Sequence, residues 1–428
     1  MLATIKRLVP EPIKNAYHFL QALFGALFFR FPSRQIKVIG VTGTDGKTTT
    51  VYLIHHILNE SGINTSMIST VEAKIGDKVI DTGLHVTTPN PFKVQNLLRK
   101  IADAGSEYAV LEVTSHGLAQ ERVAFVKFFA GIVTNITHEH LDYHKTYNNY
   151  LDAKAKILNG TNCRILNRDD TSFKKLHRRG TGHLITYGVN KDADFKAENI
   201  SSDKQGLKFT INYKHKKISD KVEINTKMTG KYNIYNMLAA FVVAVCLGVE
   251  KKKIVAAINN FTGVRGRMQY VDEGQGFDVI IDFAHTPAAL ENILKYLHTI
   301  KEGKIIAVFG SAGERDVGKR TMMGKVATEL ANLSVFTAED PRSEDVNQII
   351  NQMAGGAVKA GGIENRTFFK IPDRVQAINT AIQTLAADSD TVVILGKGHE
   401  KSMNIGSKEY PWSDELITRN SLKTRLKR

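Results

Sequence analysis

Cysteine is scarce in this chain: Cys163 and Cys246 are the only two among 428 residues. They form no CxxC pair and no disulfide framework, so a reducing cytosol fits the sequence. Internal repeats and low-complexity runs are missing as well. Zinc-finger spacing, a basic heptad region and an RNP-type aromatic motif are all lacking, which excludes the common nucleic-acid readers. The longest apolar stretch, residues 16–29, falls short of the roughly 20 residues a membrane span takes. The Phe31-Pro32-Ser33-Arg34 segment after it is a poor signal-peptide cleavage site.

What is present is an ordinary globular composition, 42% hydrophobic and 24% charged, with an unusual formal charge of +15. The length predicts two or three domains. The charge predicts an acidic partner: a nucleotide, an anionic metabolite or anionic lipid, with nucleic acid the weakest of these.

Residues 1–35 read as an apolar, helical segment flanked by Lys6, Arg7, Lys14, Arg30 and Arg34. Two readings stand: a helix docked on the protein or a partner chain, and an interfacial helix whose basic flanks meet anionic lipid. Residues 36–260 read as an α/β domain with a mainly parallel sheet. Its strands are predicted at Ile36–Ile39, Tyr108–Val113 and Gly131–Asn135, and helices at Pro91–Ala104 and Asn236–Cys246. Between Leu184 and Met228 the alternation of apolar and polar residues predicts a small antiparallel insertion. Residues 261–428 read as a second, Rossmann-like α/β unit with strands at 278–282, 305–309, 333–337 and 391–395. Its tail, Arg419–Arg428, reads as a solvated helix end.

The stretch Gly40-Val41-Thr42-Gly43-Thr44-Asp45-Gly46-Lys47-Thr48-Thr49 lies between a predicted strand and a predicted helix, the setting of a phosphate loop. Backbone N–H groups there can surround phosphate oxygens at a helix N-terminus. Lys47 would reach the β- and γ-phosphates and Thr48 would hold Mg²⁺. The strict pattern places its first glycine at position 41, which is Val41; here it is Gly40. Glu112, ending a strand, reads as a carboxylate ligand for Mg²⁺ or as a surface turn. His138, His140 and His144 fit no common closed zinc site; one histidine beside Mg²⁺–ATP is the better reading. Lys154 and Lys156, two apart on one helix, point to different faces. In the second unit, loops at successive strand ends carry Asp282 and His285, Arg315, Glu339-Asp340-Pro341-Arg342, and Gly396 with Glu400. Arg315 and Arg342 could grip a carboxylate and Glu400 an ammonium, which together describe an amino-acid pocket.

These residues in this order resemble the Mur ligase family of ATP-dependent amide-forming enzymes, and most of all its tripeptide-synthetase (MurE) type. The resemblance runs from about Ile36 to about Ser413. The family's phosphate loop also carries its first glycine at the offset of Gly40. The resemblance implies ATP and Mg²⁺ as cofactors. It places Gly43, Thr44, Asp45, Gly46, Lys47, Thr48, Thr49, Asn233, Asn236, Arg267, Asp282 and His285 at the nucleotide. It places Thr48, Glu112 and His140 at the metal, and Lys47, His140 and Lys154 in catalysis, with Lys154 carbamylated. Thr87, Thr88, Thr114, Gln120 and Arg122 match residues that hold a muramoyl-peptide acceptor. Arg315, Glu339, Asp340, Pro341, Arg342, Gly396 and Glu400 match the amino-acid site. The implied reaction adds a diamino acid, expected to be meso-diaminopimelate, to a muramoyl-L-Ala-D-Glu acceptor through an acyl phosphate.

Two departures from the family pattern set further expectations. Family members carry an N-terminal domain of roughly a hundred residues for the UDP end of the acceptor, whereas this phosphate loop begins at Gly40. The expectation is an acceptor gripped differently, lipid-linked or presented at the inner face of the membrane by a cytoplasmic enzyme. The selectivity loop of diaminopimelate-adding members reads Asp-Asn-Pro-Arg; here Asp340 replaces the amide. The rival readings are a non-catalytic ATP-binding scaffold and a folylpolyglutamate-synthase-like ligase.

Overall fold

Buried apolar runs make the central strands of this chain, and several of its helices start at a side-chain cap. The computed structural model describes residues 11–80, 87–137, 139, 141–215, 218–406 and 408–427. Helix α1 (Glu11–Phe28) leads to strand β1 (Lys37–Thr42), which is buried from Val38 onward and lies inside an eleven-stranded sheet. That sheet also contains β2 (Thr65–Ile68), β3 (Ala73–Ile75), β4 (Lys78–Ile80), β5 (Tyr108–Glu112), β6 (Phe128–Val133), β7 (Cys163–Asn167) and β8 (His183–Gly188). Its remaining strands are β9 (Phe195–Asp203), β10 (Gly206–His215) and β11 (Ile218–Thr226). The order is β11-β10-β9-β8-β7-β6-β1-β5-β2-β3-β4.

Strand β1 runs parallel to both β5 and β6, so Thr42, Glu112 and Val133 end at one edge of the sheet. This is the edge at which open α/β sheets gather ligands. The stretch expected to form a small antiparallel insertion is antiparallel from β9 to β11, and it extends this sheet through the parallel pairing of β8 with β9. Alternating residues mark a half-exposed strand but do not say which edge it joins. Strand β1 also runs past Ile39 to Thr42, so Gly40 lies within a strand and not in the loop. A Cβ there would stand 2.7 Å from the Phe128 ring; this glycine serves close packing.

Helix α2 (Lys47–Glu60) follows the loop, and α3 (Pro91–Asp103) has Pro91 in its first turn and Asn90 accepting from the Lys93 N–H at 2.8 Å. Helix α4 (Tyr147–Ala155) is capped by Thr146. Helix α5 (Tyr232–Cys246) is buried almost all round and packs on α2 within the largest apolar cluster.

A six-stranded sheet follows, ordered β12-β13-β17-β14-β15-β16. It consists of β12 (Gln269–Tyr270), β13 (Asp278–Asp282), β14 (Ile305–Phe309), β15 (Leu333–Phe336), β16 (Phe368–Lys370) and β17 (Thr391–Leu395). All its pairings are parallel except β12 with β13. Helices α6 (Pro287–Ile300), α7 (Gly318–Leu330) and α8 (Val346–Lys359) cover one face of it. Opposite lie α9 (Arg374–Thr380) and α10 (Asp414–Leu426). A hairpin of β18 (Ser402–Ile405) and β19 (Lys408–Pro411) stands apart. The last helix is not simply solvated: Thr418, Ser421 and Leu422 are buried, and Arg425 donates to the carbonyls of Ile382 and Ala386.

Candidate active site

The carboxyl edges of the two sheets face one another across a cavity of about 880 Å³. On the first side the chain leaves β1 at Thr42 and turns through Gly43–Gly46 into α2. Gly46 has φ 80°, and a Cβ on it would lie 2.2 Å from Asn236 Oδ1 of α5; the turn requires glycine on both counts. The loop is held from behind. Asp45 N–H donates to Asn135 Oδ1 at 2.9 Å, and Thr134 Oγ1 donates to the Asp45 carbonyl at 2.7 Å. The Thr44 and Tyr150 hydroxyls stand 3.0 Å apart. Lys47 Nζ donates to the Thr44 carbonyl at 2.7 Å. Burial, against the pull of Glu112 and Asp45, lowers the Lys47 pKa, and burial raises that of Asp45.

Thr48 Oγ1 donates to Glu112 Oε1 at 3.0 Å. Glu112 also accepts from the Thr70 N–H and Thr70 Oγ1, each at 2.9 Å. A hydroxyl and a carboxylate this close are hard oxygen donors of the kind Mg²⁺ takes, so the residues present fit that ion. His140 lies outside the described residues.

Lys154 is 1% exposed. It donates to the Gly43 carbonyl and stands 4.6 Å over the Tyr150 ring. Burial, with the nearby Lys47 charge, brings its pKa well below that of a free lysine. The side chain sits behind the loop: Gly43, Lys154 and Pro341 are described but are not among the residues lining the cavity. Lys156 points away as expected, paired with Glu121.

The acceptor-matching residues converge beside Glu112. Thr88 and Thr114 hydroxyls are 3.1 Å apart, the Thr70 and Thr87 hydroxyls are 3.0 Å apart, and Arg122 Nη1 donates to the Thr88 carbonyl at 2.9 Å. Gln120 lines the same wall. Farther along α5, Asn236 Nδ2 donates to Asn233 Oδ1 at 2.9 Å, with Thr49 nearby on the cavity wall.

On the opposite side Arg267 crosses between the sheets: its Nη2 donates to Thr48 Oγ1 at 3.2 Å, and its guanidinium lies 4.5 Å over the Phe283 ring. Asp282 accepts from the N–H groups of Met268 and Ala284, each at 2.7 Å. Burial pushes His285 down to about 3, so its imidazole is neutral. Arg315 and Arg342 reach the cavity from two different loops. Arg342 takes the left-handed conformation, φ 54°, pinned by its N–H to the Asn404 carbonyl at 3.0 Å. Asp340 does not stand as a bare carboxylate. Its Oδ1 accepts from Lys397 Nζ at 2.8 Å and from the Asn404 N–H at 3.0 Å, and the fully buried Lys397 also pairs with Glu400. Glu339, beside Gly396, is buried and pushed up to about 7.

Three cavity residues have no role assigned from the sequence. Thr70 braces Glu112. Glu139 is buried and raised to about 7 chiefly by desolvation. Lys319 donates to the His285 carbonyl at 2.8 Å. Lys319 could have been noticed as a basic residue opening the helix after a strand-end loop; nothing local marks Thr70.

Two linked α/β units that enclose a phosphate loop, hard oxygen donors and paired arginines define an ATP-dependent ligase site. Comparison with known proteins agrees: the Mur ligase middle domain matches residues 41–244, and the Mur ligase glutamate ligase domain matches residues 266–398. A UDP-N-acetylmuramyl-tripeptide synthetase of Roseiflexus sp. (strain RS-1) is 38% identical over 97% of this chain and 84% of its own length. A UDP-N-acetylmuramoyl-L-alanyl-D-glutamate–2,6-diaminopimelate ligase of Clostridium botulinum is 35% identical over 94% of this chain and 81% of its own. A solved structure bearing the latter name superposes with a TM-score of 0.62 at 29% identity, covering 91% of this chain and 79% of that one. The fold is shared with MurF from Acinetobacter baumannii (TM-score 0.70, 18% identity, 95% of this chain and 80% of that one). The chain belongs to the Mur ligase family, as a member of its tripeptide-synthetase (MurE) type, and is an ATP-dependent amide ligase.

Proposed function

We propose that this ligase joins meso-diaminopimelate to the D-Glu carboxylate of a muramoyl-L-Ala-D-Glu acceptor in peptidoglycan precursor synthesis, in the cytoplasm. The observation that carries the reading is the pair Arg315 and Arg342, brought into the same cavity as the phosphate loop. Two guanidinium groups suit the distal carboxylate of diaminopimelate and would repel the ammonium of lysine. Asp340 does not upset this assignment, because its Oδ1 is held by Lys397 and the Asn404 N–H.

The chemistry has two displacements. A carboxylate oxygen of the acceptor bonds to the γ-phosphorus of ATP as the bond to the β-phosphate oxygen breaks, giving an acyl phosphate and ADP. The amine then bonds to the acyl carbon, phosphate departs with the C–O electron pair, and the nitrogen loses a proton. Lys47 and the Gly43–Gly46 N–H groups would neutralise charge on the transferring phosphoryl group. Thr48 and Glu112, with His140, would hold Mg²⁺, which supplies further charge stabilisation there. Asn233 and Asn236 would meet the adenine side, and Arg267, Asp282 and His285 would close on the nucleotide from the second unit, excluding water. Thr87, Thr88, Thr114, Gln120 and Arg122 would seat the acceptor. Lys154 is suited to carbamylation because burial favours its neutral amine over the ammonium, and the neutral amine is the form that adds CO₂ with loss of a proton. The carbamate would have to turn away from the Gly43 carbonyl to act at the phosphates.

The test is a panel of amino acids offered with ATP and UDP-linked, UDP-free and lipid-linked muramoyl-dipeptide, with products read by mass spectrometry. A diaminopimelate adduct is expected. Strong preference for lysine would overturn the amino-acid assignment, and ATP binding without any amide product would favour a scaffold.

A further inference from the structure

Helix α1 is inverted for a helix on a globular surface. It turns its small residues inward: Ala22, Gly25 and Ala26 are buried, and a Cβ on Gly25 would meet Gln95 and Phe92 of α3 at 3.3 Å. Its large apolar side chains face outward. Tyr17, Leu20, Phe24, Leu27 and Phe28 follow one another at helical spacing and are exposed, Phe24 by 66% and Phe28 by 73%. Phe92 of α3 is also exposed and lies 5.9 Å from Phe28, ring to ring, so the patch continues across two helices. A contiguous apolar surface of this kind marks an interaction site.

We propose that α1 and the start of α3 dock this protein on an anionic membrane surface, with α1 lying in the plane of the interface. Two observations favour lipid over a second copy of the chain, and a third favours lying on a membrane over crossing it. No Asp, Glu, Lys or Arg occurs from Asn15 to Phe29, so the flanking charges that fix register and partner in a helix pair are missing. The first 40 residues contain six basic residues against the single acid Glu11, which matches a negatively charged surface. Among the described residues no helix is long and apolar enough to cross a membrane. With one face packed on α3, α1 can present only its outer side, as interfacial helices do. Helix α3 begins shortly after Thr87 and Thr88, so docking would bring lipid to the acceptor wall of the cavity.

The experiment is flotation of the full chain with vesicles of phosphatidylcholine alone or mixed with phosphatidylglycerol, alongside light scattering of the free protein. Wild type is expected to float with the mixed vesicles, less at high salt, and the L20D/F24D variant about tenfold more weakly. Because both residues are exposed, that variant should keep its circular dichroism melt and its ligase turnover on a soluble acceptor. The R30E variant should lose flotation on the mixed vesicles without gaining it on phosphatidylcholine. Wild type remaining in the aqueous fraction would overturn the proposal. So would a dimer that L20D/F24D converts to monomers without any flotation of the wild type.

Discussion

Lys154 and Glu339 are both buried ionisable groups, and burial acts on them in opposite chemical directions. For Lys154 it favours the neutral amine, the form that carbamylation as proposed would need. Incubation with ¹³C-bicarbonate should therefore give a carbamate signal by NMR that Lys154→Met lacks. That variant should lose turnover by on the order of a hundredfold or more if the group acts near the transferring phosphoryl. For Glu339 burial favours the neutral acid, at about 7 against about 4.5 in an unfolded chain. The folded state therefore holds the extra proton between those values. The stability this group contributes is complete at low pH and is lost as pH rises through about 7. Glu339→Gln should remove that dependence, gaining on the order of 2 kcal/mol relative to wild type between mildly acidic and mildly alkaline melts. A constant difference across pH would show that Glu339 is not the group responsible.

At the scale of elements, the turn from β1 into α2 depends on α5. Gly46→Ala places a methyl against Asn236 Oδ1 and forces an unfavourable φ, so it should cost about 1–3 kcal/mol by thermal melt and weaken ATP binding in calorimetry. This also shows what the sequence made legible. The loop could be read because its residues are contiguous and its neighbours have strand and helix patterns. The role of Gly40 could not, because its reason is the Phe128 ring, far along the chain. Likewise Thr70 reaches Glu112 only because β2 and β5 lie side by side in the sheet. Four strands of the second unit, β13, β14, β15 and β17, were readable almost to the residue, since buried parallel strands are continuous apolar runs, whereas the short edge strands β12 and β16 and the β18–β19 hairpin were not. The strands beyond β8 showed their alternation but not the sheet they would lengthen. The apolar character of residues 16–29 was evident, whereas the orientation of α1 depended on which side α3 would accept.

At the scale of the molecule, the two large sheets face one another across the cavity, and the last helix is bound into the second. Arg374 and Asp414 are both fully buried, joined by Nε to Oδ1 at 2.9 Å and Nη2 to Oδ2 at 2.7 Å. Arg374 also donates to the carbonyls of Ala338 and Leu395, the residues that precede Glu339 and Gly396. Arg374→Met alone should leave Asp414 buried without its partner and destabilise by about 3–5 kcal/mol in denaturant titration. Arg374→Met with Asp414→Leu should recover much of that loss. Two single losses that simply add would show that the pair is not coupled.

That same pair ties the end of the chain to the two loops proposed to hold the incoming amine. A protease cut just before Asp414 would leave the phosphate loop, more than three hundred residues earlier, with its own supports intact. It would unseat the two loops that Arg374 ties down. If those loops hold the amino acid as proposed, trimming of the carboxyl terminus would act first on the amine's side of the cavity, while the hydrogen bonds behind the phosphate loop stay in place.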